Sequence, residues 1–544
     1  MSARIQLPKP SGPYRIGVMD FELTDTSREE TFSPGTTRRI PVRAWYPTAA
    51  EDGVPRPNAK PAELLHQVAP FFKLIPTSTD ISALLDVSTH AWEDAPPLMG
   101  TRRPVLIFSH GGFACPQTNI MPVEHFASHG YVVLSISHPY VDQATLHENG
   151  DTIKCHPSLL EDLTATAAKP SYVAAFSAPD PATRLDAMLT NCHETKMATQ
   201  FRVWAGDFIH VIDRLHAADL PAKAKALLDI VDLDRLGTFG MSFGGGAAVS
   251  AAQRDPRVRA GINLDGGVWD ADMLDRDCHA PLLIMHSDLS LLLAAFGITN
   301  SHPHSELFHE RLATAGTRAD IHRVEVSGAT HLSFTDLCLI PPELRADPVL
   351  AAMIGPIDGQ RMASIVNDFC QAFLDHYLSR EGAGLDPAFR ANYPEVSDID
   401  LGPVRDWAAT SPPPGFMSYR HVQLMNRILA DDKLSQAAAA KLTRPYLLAY
   451  ELTGGPEGRP VWWQMRFDPE AGVSFALGEP QSSADLTLTG DWQEAVQDLA
   501  ALRYAKKDVT LRLKPVGDET LMATLAEAFS AAQKAAAIPT RETK

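Results

Sequence analysis

A chain of 544 residues is too long for one compact core and points to two to four domains. Its 45% hydrophobic and 21% charged residues are those of a soluble globular protein. The formal charge of −18 argues against nucleic acid as a partner, because phosphate binding needs a positive footprint.

The six cysteines (Cys115, Cys155, Cys192, Cys278, Cys338, Cys370) form no C-x-x-C pair. Their spacing fits neither a zinc ribbon nor a disulfide scaffold, so free thiols in a reducing compartment are expected. The first ten residues lack the apolar core of a signal peptide. No stretch approaches roughly 18 uninterrupted apolar residues, so no transmembrane helix is expected and a cytoplasmic location is the default.

In chain order, residues 14–24 and 38–48 carry β-branched and aromatic residues in partial alternation and predict an antiparallel pair of strands. Residues 49–103 mix proline-rich and short amphipathic pieces and read as an insertion covering part of a cleft. The apolar run from Arg103 to Ser109 ends in His110-Gly111-Gly112. Apolar on both faces, it suits a strand inside a helix-covered parallel sheet. A helix at 122–129 and a second such strand at 131–138 imply a right-handed crossover and a doubly wound sheet. Residues 139–200 break the pattern and read as a lid or cap.

A helix at 198–217 follows, with Phe201, Trp204, Phe208, Val211, Ile212 and Leu215 at three-to-four spacing. Then Leu236 to Gly246 reads as a strand, a glycine-bounded turn and the start of a small-residue helix. Strand-and-turn patterns recur at 259–267, 281–288 and 320–331. An amphipathic helix at 361–378 closes the first domain, set at 1–380. A connector at 381–415 ends in Ser411-Pro412-Pro413-Pro414-Gly415, which favours an extended, stiff spacer. Beyond it, helix 419–430, strands at 444–453, 460–468, 473–477 and 484–489, helix 491–501, strand 508–514 and helix 519–536 indicate an α+β module at 416–544.

In a doubly wound sheet the functional groups sit past the carboxyl ends of the strands. Gly240-Met241-Ser242-Phe243-Gly244 fits the G-x-S-x-G nucleophile elbow, in which a strained strand-to-helix turn presents a serine hydroxyl above the sheet. Such a hydroxyl needs a base within hydrogen-bond reach, and His331 at the end of the last strand is the candidate. A carboxylate must hold the imidazole tautomer; Asp265 and Asp288 both end strands after the serine, and strand-end position alone favours neither. The backbone N–H groups of Gly112 and Phe243 are the candidate oxyanion donors. His110 reads as shaping its turn, and His138 and His286 as structural. His302, Pro303 and His304 read as solvated loop, and no cluster has metal-ligand spacing.

Five of these motifs together resemble the platelet-activating-factor acetylhydrolase family of α/β-hydrolases. They are residues 12–48, the run from Phe108-Ser-His-Gly-Gly to Ser-His-Gly-Tyr-Val-Val-Leu, Gly240-Met-Ser-Phe-Gly-Gly, Gly261-Ile-Asn-Leu-Asp265 and Gly328-Ala-Thr-His331. The resemblance spans about 12–380 and is poor over 49–103 and 139–200. It implies a triad of Ser242, Asp265 and His331, with Gly112 and Phe243 at the oxyanion. The chain departs from the family's usual Gly-His-Ser by placing Met241 before the serine. The family also shades into broader carboxylesterases and polyester or dialkyl-ester hydrolases, so the resemblance implies ester hydrolysis more securely than a phospholipid substrate.

Residues 416–537 resemble a sterol-carrier-protein-type domain. The likeness rests on element order, on Ala484-Asp-Leu-Thr-Leu-Thr-Gly-Asp-Trp and on Leu513-Lys-Pro-Val-Gly-Asp-Glu-Thr-Leu. It implies an apolar ligand in a tunnel or a dimerisation role; Trp462, Trp463, Phe467 and Phe475 would line a cavity or form plain core. The expectation is an α/β-hydrolase fold with an appended α+β domain, acting as a serine esterase that needs no metal or organic cofactor. An amidase or peptidase on the same scaffold and a catalytically silent lipid carrier are the rivals.

Overall fold

The computed structural model describes residues 5–58, 87–179, 181–275, 278–294, 319–341, 345–346, 348–402, 406, 413, 416–417, 419–455, 460–480, 482–504 and 512–540. The chain divides into two compact units, Met1–Met273 with Cys278–Trp407, and Ala408–Lys544 with Leu274–Asp277.

The first unit is built on an eleven-stranded sheet. Its strands are β1 (Arg15–Glu30), β2 (Ser33–Thr48), β3 (Pro55–Pro57), β4 (Ser88–Glu93), β5 (Arg103–Ser109) and β6 (Val132–Ile136). A separate hairpin of β7 (Ala144–Leu146) and β8 (Thr152–Lys154) follows, before β9 (Val231–Met241), β10 (Ala260–Leu264), β11 (Leu282–Ser287), β12 (Ile321–Val326) and β13 (Val396–Asp398). The order across the sheet is β13-β12-β11-β10-β9-β5-β6-β2-β1-β4-β3. From β6 to β12 every pairing is parallel. The expected antiparallel pair is β1 and β2, which joins the parallel block through β6.

Strands β5, β6, β10 and β11 are buried along their whole length, which is why they read as continuous apolar runs. On one face Leu106, Phe108 and Phe239 pack with Phe126 of helix Ile120–Ser128 and with Ile365, Phe369 and Phe373 of helix Gly359–Leu374. Alternation sends Val105 and Ile107 to the other face, and both are fully buried. The chain leaves β6 and returns at β9 on the far side of β5. The gap between the ends of β5 and β9 is thus the switch point of the sheet, where ligands bind in this class of architecture.

Three segments hold elements that the sequence pattern did not place. The described ends of 49–103, read as an insertion covering part of a cleft, form β3 and β4, which widen the sheet beyond β1; 59–86 lie outside the described residues. The lid or cap region is mostly helical, in Pro157–Ala167, Pro170–Ser177 and Pro181–Glu194. Each of these helices starts on a proline, whose missing N–H costs nothing at a first-turn position. The connector contributes a short helix, Pro387–Arg390, and β13, antiparallel to β12 at the sheet edge.

The second unit holds a five-stranded sheet of β14 (Tyr446–Thr453), β15 (Val461–Asp468), β16 (Gly472–Leu477), β17 (Leu486–Asp491) and β18 (Lys514–Gly517). The order is β16-β15-β14-β17-β18, with β14 and β17 parallel and the other pairs antiparallel. Lys514–Gly517 supply the rungs opposite Leu486–Thr489, and residues 508–511 of the expected final strand lie outside the described residues. Helices Tyr419–Asp431, Trp492–Tyr504 and Leu521–Ala535 match the reading, and a short helix, Lys433–Ala439, capped by Asp432, is additional. This unit contains a cavity of about 300 Å³ lined by Phe416, Tyr450, Trp463, Met465 and Phe529, with Lys534 also at its wall. Phe475 lines it too, whereas Phe467 is fully buried core.

Candidate active site

Strand β9 ends at Met241, helix Phe243–Arg254 begins at Phe243, and Ser242 is the single residue between them. Ser242 has φ +55° and ψ −126°, a conformation that strains any residue with a Cβ. It is held there from both sides: its N–H donates to Leu264 O at 2.7 Å, and its carbonyl accepts from Gly246 N–H at 3.1 Å. The flanking glycines are required by space. A Cβ on Gly240 would lie 2.4 Å from the Gly244 carbonyl, and one on Gly244 would lie 2.2 Å from His110 O. The helix therefore starts directly against the end of β5.

His331 follows β12 on a short turn fixed by reciprocal Thr330–Ser333 hydrogen bonds, and the Asn119 amide holds Phe334 O at 2.8 Å. His331 Nε2 lies 2.8 Å from Ser242 Oγ, and His331 Nδ1 lies 2.6 Å from Asp265 Oδ2. The other Asp265 oxygen accepts the Ser287 N–H at 2.7 Å. Burial opposes ionisation of Asp265, but the His331 hydrogen bond and charge, with the nearby His286, outweigh it and hold the carboxyl below its ordinary range. An ionised Asp265 accepts only, so Nδ1 carries the proton and Nε2 is left to accept from the serine hydroxyl. The side chain of Asp265 is 10% exposed and that of His331 37%, so the acid is shielded while the imidazole meets solvent.

Asp288 takes a different place. Its Oδ2 accepts the Gly328 N–H at 3.0 Å and its Oδ1 accepts the Ser290 hydroxyl at 2.5 Å. It thus braces the turn that leads to His331. The Gly111–Gly112 turn runs alongside Ser242 and Phe243: a Cβ on Gly111 would sit 3.2 Å from Ser242 Cβ, and one on Gly112 3.4 Å from Phe243 Cβ. The first N–H groups of a helix have no acceptor within it, and Phe243 opens its helix here. His110 is fully buried behind the turn, with Nδ1 2.8 Å from Gly111 O and Nε2 3.0 Å from Asp142 Oδ1.

His302, Pro303 and His304 lie outside the described residues. Among the described residues no group of three His, Cys, Asp or Glu side chains is arranged to hold a metal ion, and no helix is long and apolar enough to cross a membrane. Asp207 carried no signal in the sequence and Trp204 counted only in an apolar stripe, yet both lie against the buried His138, and Trp204 meets His110 before the Gly111–Gly112 turn. Both were masked because helix Lys196–His216 announces itself through its apolar stripe.

The family model described as platelet-activating factor acetylhydrolase, isoform II, matches residues 1–147 and 212–391. A probable 1-alkyl-2-acetylglycerophosphocholine esterase of Arthroderma benhamiae is 23% identical over 420 residues, 72% of this chain and 94% of the relative. The platelet-activating factor acetylhydrolase of Cavia porcellus is 22% identical over 406 residues, 70% of this chain and 79% of the relative. Among solved structures, a ferulic acid esterase from Streptomyces cinnamoneus superposes with a TM-score of 0.50 at 23% identity, over 73% of this chain and 99% of that one.

Proposed function

Because this chain belongs to the platelet-activating factor acetylhydrolase isoform II family, and is an ester hydrolase with the α/β-hydrolase fold, we propose that it cleaves short-chain or lipid-like carboxylic esters through an acyl-enzyme on Ser242. The observation that carries the reading is the unbroken hydrogen-bond chain from Ser242 Oγ through His331 to Asp265. Ser242 Oγ attacks the ester carbonyl while His331 Nε2 takes its proton. Asp265 keeps the imidazole in the accepting tautomer and stabilises the imidazolium. The tetrahedral oxyanion forms against the N–H groups of Gly112 and Phe243; one such donor typically contributes about 3 kcal/mol. His331 returns the proton to the departing alcohol, and water, activated by the same imidazole, releases the acid.

The test is intact-mass analysis during turnover of a slowly deacylated p-nitrophenyl ester, across acyl lengths and beside peptide anilides. An acyl adduct on the Ser242 peptide is expected. Turnover restricted to the anilides would favour an amidase, and turnover without any adduct would remove the acyl-enzyme.

The second unit is assigned an apolar, lipid-like ligand, on the strength of its cavity and of the sterol-carrier-type element order. Met465→Trp in the full chain fills that space and should abolish binding of a fluorescent fatty acid while short-ester turnover persists. Unchanged binding would refute the assignment.

A further inference from the structure

Behind the Gly111–Gly112 turn lies a second serine–histidine–aspartate array. Ser109 Oγ is 2.8 Å from His138 Nε2, and His138 Nδ1 is 2.7 Å from Asp207 Oδ2. All three residues are 0% exposed, so no ester reaches Ser109 and the array has no hydrolytic role of its own. Its place in the fold points elsewhere. Ser109 is the last residue of β5, immediately before His110, and its carbonyl is one of the atoms against which Gly240 and Gly244 pack.

Asp207 comes from helix Lys196–His216, which crosses behind the turn. Burial opposes its charge, but Arg38 grips both carboxylate oxygens at 2.7 and 2.5 Å and Arg28 adds a bond at 2.9 Å, which together hold it far below the usual carboxylate range. Asp207 therefore accepts, His138 carries its proton on Nδ1, and Nε2 accepts the Ser109 hydroxyl. The His138 ring lies flat on Trp204, with centroids 3.7 Å apart and planes 8° apart. Trp204 in turn meets Phe243 edge-on at 4.9 Å and His110 at 5.3 Å. The backbone N–H of His138 donates to both oxygens of Asp142, at 3.0 and 2.9 Å, and Asp142 also faces His110. Hydrogen bonds thus tie the array to Asp142, whose Oδ1 lies 3.0 Å from His110 Nε2 just before the glycine turn, and ring contacts through Trp204 tie it to the residue after Ser242.

We propose that Ser109, His138 and Asp207 form a positioning relay, with Trp204 as its contact plate, that fixes the Gly112 and Phe243 amides from the buried side. The proposal rests on the reading of those amides as the oxyanion donors. Ser109 and His138 lie within the family match, whereas Trp204 and Asp207 lie in the stretch 148–211 outside it. The relay therefore joins a family segment to one that the family model does not describe. Its residues touch no substrate; they act through the turn and the helix start.

The experiment compares wild type, His138→Phe and Ser109→Ala in the full chain. Phenylalanine keeps the flat contact with Trp204 and removes both hydrogen bonds; alanine removes one and disturbs packing least, so it serves if the larger change does not fold. Turnover is expressed per active site by titration, beside KM and the affinity for an aryl trifluoromethyl ketone, whose adduct with Ser242 carries an oxyanion. His138→Phe is expected to lower kcat by about 10- to 100-fold with KM little changed, in line with the cost of misplacing catalytic groups by up to an ångström. Ketone affinity should fall by a similar factor, and Ser109→Ala should show a smaller loss in the same two quantities. A fall in melting temperature with unchanged kcat per site and unchanged ketone affinity would overturn the relay and leave a structural cluster. Ser242→Ala run in parallel separates the two readings: turnover that survives it strikes down the active site and the relay with it.

Discussion

Replacing Asp265 by asparagine conserves volume and inverts one proton. The Ser287 N–H, 2.7 Å from Asp265 Oδ1, requires an acceptor on that side, so the amide oxygen of an asparagine stays there and its NH2 faces His331 Nδ1. His331 must then accept on Nδ1 and carry its proton on Nε2, the nitrogen 2.8 Å from Ser242 Oγ where a base is needed. A wrong tautomer of this kind lowers kcat by about 10⁴, or ~5 kcal/mol of transition-state stabilisation. Asp288→Asn is the matched control. Its oxygens accept from Gly328 and Ser290, and an asparagine keeps one of those bonds, so about 1 kcal/mol of loop stability is lost and kcat stays within about tenfold. Steady-state kinetics on p-nitrophenyl acetate, with circular dichroism to verify the fold, give the ranking. An Asp265→Asn enzyme within about tenfold of wild type, or an Asp288→Asn enzyme that is the poorer of the two, would refute the assignment of the acid.

Two further outcomes follow from packing and from charge. Gly244→Ala puts a Cβ 2.2 Å from His110 O and 2.4 Å from Ser109 O, both backbone atoms, so β5 and the helix must separate; a cost of about 3 kcal/mol and a loss of roughly 100-fold in kcat are expected. Gly112→Ala, whose added atom stays 3.4 Å from its nearest neighbour, should fold with little penalty, and thermal melts that rank the two the other way would contradict the packing. His138 is pushed down to about 4 by burial, against the pull of Asp207. The unfolded chain takes up this proton near pH 6.5 and the native state refuses it until about 4, so stability falls as the pH drops across that window, by about 3 kcal/mol in full. His125, held near 3, adds in the same direction. Urea melts between pH 4 and 7 should show a flatter acid limb in His138→Phe; an identical limb would count against a neutral buried His138.

Local signals made the centre of the molecule legible. Glycine spacing around Ser242, the continuous apolar runs of β5 and β6, and the apolar stripe of helix Gly359–Leu374 are each set by a few neighbouring residues. The edges were not legible in that way. Strand β13 is three residues long and owes its existence to the open edge of β12, while β4 pairs with β1 and β3 only with β4. The choice between Asp265 and Asp288 also escaped the pattern, because both end a strand. Asp265 has φ +55°, in the turn that brings its carboxylate to His331, while Asp288 is engaged by the Gly328 amide. The array behind the glycine turn was hidden for another reason: its aspartate lies 69 residues from its histidine, on a helix that reads as amphipathic without it.

Labelling with a fluorophosphonate shows directly whether Ser242 is the nucleophile. The full chain is treated with the probe, turnover is followed, and the modified peptide is identified by mass spectrometry. One adduct per chain on Ser242 is expected, with activity lost in proportion to labelling and neither labelling nor turnover in a folded Ser242→Ala variant. An adduct on another residue that tracks inactivation, or undiminished turnover by Ser242→Ala, would contradict it.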